Sequence, residues 1–168
     1  EQGKDLYENP ELPILPGNVD AVLLTHAHMD HAGRIPLLVK QGYHGSIYAT
    51  DATTDLCGIM LLDSAHIQES DTEWKNRKNL RAGRPEEAPL YTVADAERTM
   101  TFFRPVAYNA WLEIFPGLRI RFTDVGHLLG SASITVEVTE SGETRTLVFS
   151  GDIGNLHQAI IRDPQYLT

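Results

Sequence analysis

An α/β fold is predicted by three observations. Short apolar runs end in small or polar loops, long helical segments separate the first of these runs, and closely spaced strand-like runs fill the second half. Residues 1–18 are polar and carry Pro10, Pro13 and Pro16, which marks an extended loop. Val19-Asp20-Ala21-Val22-Leu23-Leu24 has the character of a short buried strand. Ala32 to Val39 reads as a helix that tolerates Pro36 in its first turn, where its missing N–H has no partner to lose. Ser46-Ile47-Tyr48-Ala49 is a short strand, and from about Asp51 to Lys78 the pattern is helical, with Leu56, Ile59, Met60, Leu62 and Ile67 apolar. Gly83 to Pro89 is a loop. Thr92-Val93-Ala94-Asp95 has the form of a capping box that opens a helix to Phe103, with Met100, Phe102 and Phe103 in the core. Strands follow at roughly 105–108, 111–115, 118–125, 131–139 and 144–150, the last ending in Leu147-Val148-Phe149 as a buried run. Ser141-Gly142 makes the final two a hairpin.

At 168 residues the chain has the length of one domain and enough apolar content for a sizeable core. It has no apolar run long enough to span a membrane and no recognisable signal peptide. The single cysteine, Cys57, excludes an internal disulfide and fits a reducing, cytoplasmic setting; among Leu56, Ile59 and Met60 it reads as a packing residue. The net charge of −9, from 23 acidic and 14 basic residues, argues against a conventional nucleic-acid-binding surface, though not against an RNA substrate. Lys75, Arg77, Lys78, Arg81 and Arg84 form the one basic cluster and read as a solvated helix face. His44, His66 and His157 read as surface residues.

Chemistry concentrates in Thr25-His26-Ala27-His28-Met29-Asp30-His31, which places three imidazoles and a carboxylate within His26–His31. Packing gives no reason for such a cluster, whereas neutral imidazole and carboxylate are standard partners of a divalent metal. Neighbouring side chains on a tight strand-to-helix loop point in different directions, so the run can feed two metals. Two further strand ends carry candidate ligands. His127 lies in Gly126-His127-Leu128-Leu129-Gly130-Ser131, and Asp152 in Ser150-Gly151-Asp152-Ile153-Gly154. Each alone is weak, since a loop histidine and an Asp between glycines are common turn features. Together with the first cluster they become ligands, and the two oxygens of Asp152 can each take one cation.

These three stretches resemble the second, third and fourth motifs of the metallo-β-lactamase superfamily. Asp63-Ser64-Ala65-His66-Ile67-Gln68-Glu69, Pro89-Leu90-Tyr91-Thr92 and Ile160-Ile161-Arg162-Asp163-Pro164 resemble linking segments of its β-CASP branch, which processes RNA. The resemblance implies a partial αββα sandwich, two sheets flanked by helices, over residues 1–168. It implies an internal fragment as well, lacking the first motif, the β-CASP insertion and the last metal-binding histidine. It implies two zinc ions: His26, His28 and His127 on the first, Asp30 and His31 on the second, and Asp152 between them. Asp30, His31 and Asp152 are then the catalytic residues, and a hydroxide between the metals attacks the phosphorus of an RNA phosphodiester. The first site is expected to bind more tightly, and the fragment alone to have little or no nuclease activity. Two alternatives stay open. One is a hydrolase of a thioester, lactone or lactam on the same fold, and the other an inactive metal-bearing scaffold in an RNA-processing complex. An exposed sheet edge further suggests self-association.

Overall fold

The computed structural model describes residues 11–165. Strands β1 (Ala21–Leu23), β2 (Ser46–Thr50) and β3 (Phe103–Val106) form a parallel sheet in that order. Parallel neighbours need crossover connections, and here both are helical. Helices α1 (Met29–Ala32) and α2 (Ile35–Lys40) join β1 to β2, and α3 (Asp51–Arg81) and α4 (Val93–Met100) join β2 to β3. The chain then turns to an antiparallel meander of β4 (Leu112–Phe115), β5 (Leu118–Asp124), β6 (Ala132–Glu140) and β7 (Glu143–Phe149), again in sequence order. A bridge between Tyr108 and Phe122 ties the end of the first half to the second sheet.

Alternation along the parallel strands divides the interior in two. Leu24, Ile47, Ala49 and Phe103 face the helices and pack with Leu37, Val39, Cys57, Leu61, Ala65 and Ala96. The residues between them, Leu23, Tyr48 and Val106, face the second sheet and meet Ile120, Phe122, Ala132, Ile134 and Val136. Across β5 and β6, Ile120 pairs with Val136 and Phe122 with Ile134, so apolar side chains oppose each other on the inner face. Complete burial of each such side chain contributes roughly 1.5–3 kcal/mol before the entropy of ordering it is set against it. The layers are therefore helices, parallel sheet and antiparallel sheet; among the described residues no helical side chain enters the second cluster.

Most predicted elements are present, with instructive shifts. The expected helix over 32–39 is two short helices. The first closes where Gly33 N–H bonds to Met29 O at 2.8 Å, and Pro36 then lies in the first turn of the second. The capping box at Thr92 forms as expected: Thr92 Oγ1 accepts from Asp95 N–H at 3.2 Å, and Asp95 Oδ2 accepts from Thr92 N–H at 2.9 Å. That helix ends at Met100 rather than Phe103, because Phe103 opens β3 and buries its ring in the first core. The β6–β7 turn places Ser141 at φ 53° and Gly142 at φ 84°, a two-residue hairpin geometry whose twist matches the flanking strands. Leu147, Val148 and Phe149 are not buried but 53, 49 and 55 % exposed. The physical reason is position: β7 is the last strand of its sheet, and nothing among the described residues lies over it. The segment 1–10 of the predicted N-terminal loop lies outside the described residues.

Candidate metal centre

The three motif loops leave their strands at the same end of the sandwich. The backbone stitches them together there: Ala132 N–H donates to Thr25 O at 2.9 Å, and Gly154 N–H to Val125 O at 2.8 Å. His26 and His28 stand two residues apart on the stretch leaving β1, so both project to one side. His28 is also the N-cap of α1, with its carbonyl accepting from His31 and Ala32 N–H. Asp30 and His31 ride in that single turn, displaced sideways from His26 and His28.

The loop carrying His127 is braced by hydrogen bonds. Ser131 Oγ accepts from the N–H groups of His127 at 3.0 Å and Leu128 at 3.2 Å. Asp124 Oδ1 accepts from Gly126 N–H at 2.9 Å, and Tyr108 OH donates to Ser131 O at 2.9 Å. The third loop packs directly on the second. A Cβ added to Gly154 would fall 1.7 Å from Gly126 O, so only a glycine allows this approach.

All six predicted site residues converge. His26, His28, His127 and Asp152 each offer a donor atom, and these atoms lie within 4.8 Å of one another. His127 Nε2 is 3.2 Å from His28 Nδ1, and Asp152 Oδ2 is 3.6 Å from His26 Nε2 and 3.5 Å from His127 Nε2. Four ligands set 2.0–2.1 Å from a tetrahedral cation are separated by about 3.3 Å, which these spacings approach. The other oxygen, Asp152 Oδ1, faces His31 Nε2 at 3.5 Å, and Asp30 Oδ2 lies 4.0 Å from the same nitrogen. Asp152 thus stands between two groups of donors with one oxygen turned to each.

His26 carries the clearest electrostatic signature. It is fully buried, and its pKa is lowered to about 4, first by burial and then by the neighbouring His31, against the opposing pull of Asp152. The ring is therefore neutral near pH 7. Its Nδ1 sits 3.1 Å from Thr25 Oγ1, while its Nε2 is buried with no hydrogen-bond partner among the described residues. A buried nitrogen left unpaired is costly unless something binds its lone pair. With the proton on Nδ1 and directed at Thr25, that lone pair points among the other donors, which is what a divalent cation requires. The group can therefore hold a metal.

Four supporting residues were not anticipated from the sequence: Thr25, Tyr108, Asp124 and Ser131. Signals for two were present, an Asp two positions before a loop glycine and a Ser four positions after a loop histidine, both able to bond backbone N–H groups. His44 and His66 are exposed as expected. His157 is exposed too, but it pairs with Asp163, whose Oδ2 lies 3.5 Å from its Nδ1. Cys57 is fully buried, and burial pushes its thiol up to about 12, as a packing role predicts. Among the described residues no helix is long and apolar enough to cross a membrane.

A family profile described as "Metallo-beta-lactamase superfamily" matches residues 7–164. Ribonuclease TTHA0252 of Thermus thermophilus is 39% identical over 164 residues, covering 97% of this chain and 33% of the relative. Transcription termination factor FttA of Methanosarcina mazei is 34% identical over 147 residues, covering 88% of this chain and 20% of the factor. The chain thus spans a third or less of the length of these relatives. Among solved structures, MEM-A1, a subclass B3 metallo-beta-lactamase from a soil metagenome library, aligns with a TM-score of 0.45 at 23% identity, covering 82% of this chain and 43% of that one.

Proposed function

The chain belongs to the metallo-beta-lactamase superfamily, and on that premise we propose that its centre takes two zinc ions and, in a chain of its relatives' length, hydrolyses the phosphodiester bonds of RNA, the 168 residues alone having little or no such activity. The observation that carries the reading is the divided carboxylate of Asp152, one oxygen toward His26 and His127 and the other toward His31. The names of two relatives, a ribonuclease and a transcription termination factor, favour RNA over a small molecule and agree with a place in the β-CASP branch.

In this reading His26, His28, His127 and Asp152 would hold the first cation. Asp30, His31 and Asp152 would hold the second with one donor fewer, so the first would bind more tightly. Imidazole and carboxylate together suit zinc. Bound cations supply Lewis acidity toward a phosphoryl oxygen and a water acidic enough to act as nucleophile near neutral pH. The residues do the positioning. Thr25 fixes the tautomer of His26, and burial keeps that ring unprotonated and ready to bind. Asp30, about one-third exposed beside His31, is placed to accept a hydrogen bond from the attacking water and set its direction. Ser131 and Asp124 hold the His127 loop rigid, so that ligand geometry is preset rather than induced.

The test is cleavage of a labelled single-stranded RNA by the zinc-loaded protein at the full length of its relatives, beside a metal-stripped sample and the Asp152→Ala variant; residues 1–168 alone are expected to cleave little or not at all. RNA cleavage abolished by both treatments supports the proposal. Hydrolysis of thioester, lactone or lactam substrates with RNA left intact would overturn it in favour of a small-molecule hydrolase. Zinc binding with no hydrolysis of any substrate would leave a metal-bearing scaffold.

A further inference from the structure

The last two turns of α3 carry an unusual surface. Between Lys75 and Arg84 the chain has five basic residues and no acidic one, although its net charge is −9. Trp74, Arg77, Lys78 and Arg81 fall at i, i+3, i+4 and i+7, so they share one helix face. All four are exposed. Trp74 is 53 % accessible, and Lys78 Nζ stands 3.2 Å from the centroid of its indole. Basic side chains near a helix C-terminus are favoured by the helix dipole, which accounts for Lys78 and Arg81 in the last turn. It does not account for a tryptophan left in solvent.

The same helix forms one wall of a groove of about 670 Å³ whose other wall is the segment 87–90. The groove lining includes Lys75, next to the basic face, and Met29, the neighbour in sequence of the site residues His28 and Asp30. Its apolar lining includes Met60, Ile67 and Leu90. Asp63, Asp71 and Glu87 on its walls accept hydrogen bonds from amino groups and repel phosphates. Such a groove suits bases lying inward with their phosphates outward.

We propose that the outer face of α3 at Trp74, Arg77, Lys78 and Arg81 binds single-stranded RNA, and that the groove beside it leads the strand to the metal centre. A base stacks on the Trp74 indole while the three cations neutralise flanking phosphates, a combination of ring and charge that suits unpaired nucleic acid. The choice of RNA as the occupant rests on the nuclease reading; the face and its chemistry do not.

Fluorescence anisotropy of a labelled oligouridylate 12-mer in EDTA tests the face without the metal centre. The triple variant R77Q/K78Q/R81Q is expected to bind at least tenfold more weakly. It should also lower the salt slope of log K by about 2, at about 0.7 per lost phosphate contact on a single strand. Trp74→Ala should lose about fivefold or more, and Trp74→Phe should restore most of that loss. Circular dichroism checks that the exposed substitutions leave the helix intact. Unchanged affinity and slope in the triple variant would overturn the proposal. So would polyglutamate competing as well as RNA, because the face would then be a general anion or acidic-protein surface. Cleavage measured separately, with zinc and at the full length of the chain's relatives, keeps the two readings apart. RNA bound at α3 but never cut defeats only the nuclease assignment, whereas cutting with an unchanged KM in the triple variant defeats only the α3 path.

Discussion

His127 Nε2 lies 3.2 Å from His28 Nδ1, two imidazoles brought together from positions 99 residues apart. The two rings share one hydrogen bond, and the same two nitrogens would both serve as ligands to a bound cation. His127→Ala removes a ligand without opening the core, because that side chain is already 26 % exposed. Zinc affinity at the tighter site is expected to fall more than a hundredfold by competitive chelator titration, with a melting temperature within a few degrees of the parent in EDTA. A metal affinity that survived the substitution would remove His127 from the ligand set.

Asp152 is expected to control stoichiometry. Asp152→Asn keeps one oxygen acceptor and should bind a single zinc, whereas Asp152→Ala should weaken both sites. Calorimetric titration of the metal-free protein counts the ions, and two equivalents bound by Asp152→Ala would refute a shared carboxylate.

Thr25 acts through His26. Thr25→Val keeps the shape and deletes the hydroxyl that meets the buried Nδ1, which should cost about 1–3 kcal/mol of stability and about 10–100-fold in zinc affinity. Thr25→Ser should recover most of both. If valine and serine behave alike in the chelator assay, the hydroxyl is not orienting the ring.

The metal-free protein should lose stability in a defined acid window. Folded His26 takes up a proton only near pH 4, while the unfolded chain does so near 6.5. The contribution is therefore fully present above pH 6.5, falls as the pH drops from 6.5 toward 4, and is flat below that. Its full size is on the order of 3 kcal/mol. Urea unfolding in EDTA across this window should show the fall, and His26→Gln should flatten it. An identical slope in His26→Gln would assign the acid sensitivity elsewhere.

Cys57 should be chemically silent in the native state. With its thiol fully buried and raised to about 12, reaction with an aromatic disulfide reagent is expected only at the rate of unfolding. Prompt labelling of native protein would show that α3 opens locally.

Much of this centre was legible from the chain because its donors sit at strand ends, where an apolar run stops and a polar cluster starts. His26 to His31 announces itself by density alone. His127 and Asp152 gained meaning only from that first cluster, since a turn histidine and a turn aspartate carry no signal of their own. Element boundaries shifted by one to three residues wherever tertiary burial competed with local preference, as at Phe103, which left a helix pattern to fill a strand position in the core. The exposure of Leu147 to Phe149 was not readable, because β propensity and apolarity look the same in a central and an edge strand. Nor was the contact of the Lys78 ammonium with the exposed Trp74 ring. A basic helix end reads as solvated, and Arg77, Lys78 and Arg81 are exposed as that reading expects.

The stitching of Thr25 to Ala132 and of Val125 to Gly154 has a kinetic consequence. The ligands come from widely separated stretches of chain, so no partly folded piece can present more than the His26–His31 run. The complete tetrad exists only after both sheets have docked, an event governed by loop closures over most of the sequence and hence by high contact order. Uptake of a tightly held ion should therefore trail the formation of α3 and α4, which depend on local contacts, and should coincide with the last refolding phase. The ion would act as a latch that closes on the finished topology and slows its reopening, rather than as a seed around which the chain collapses.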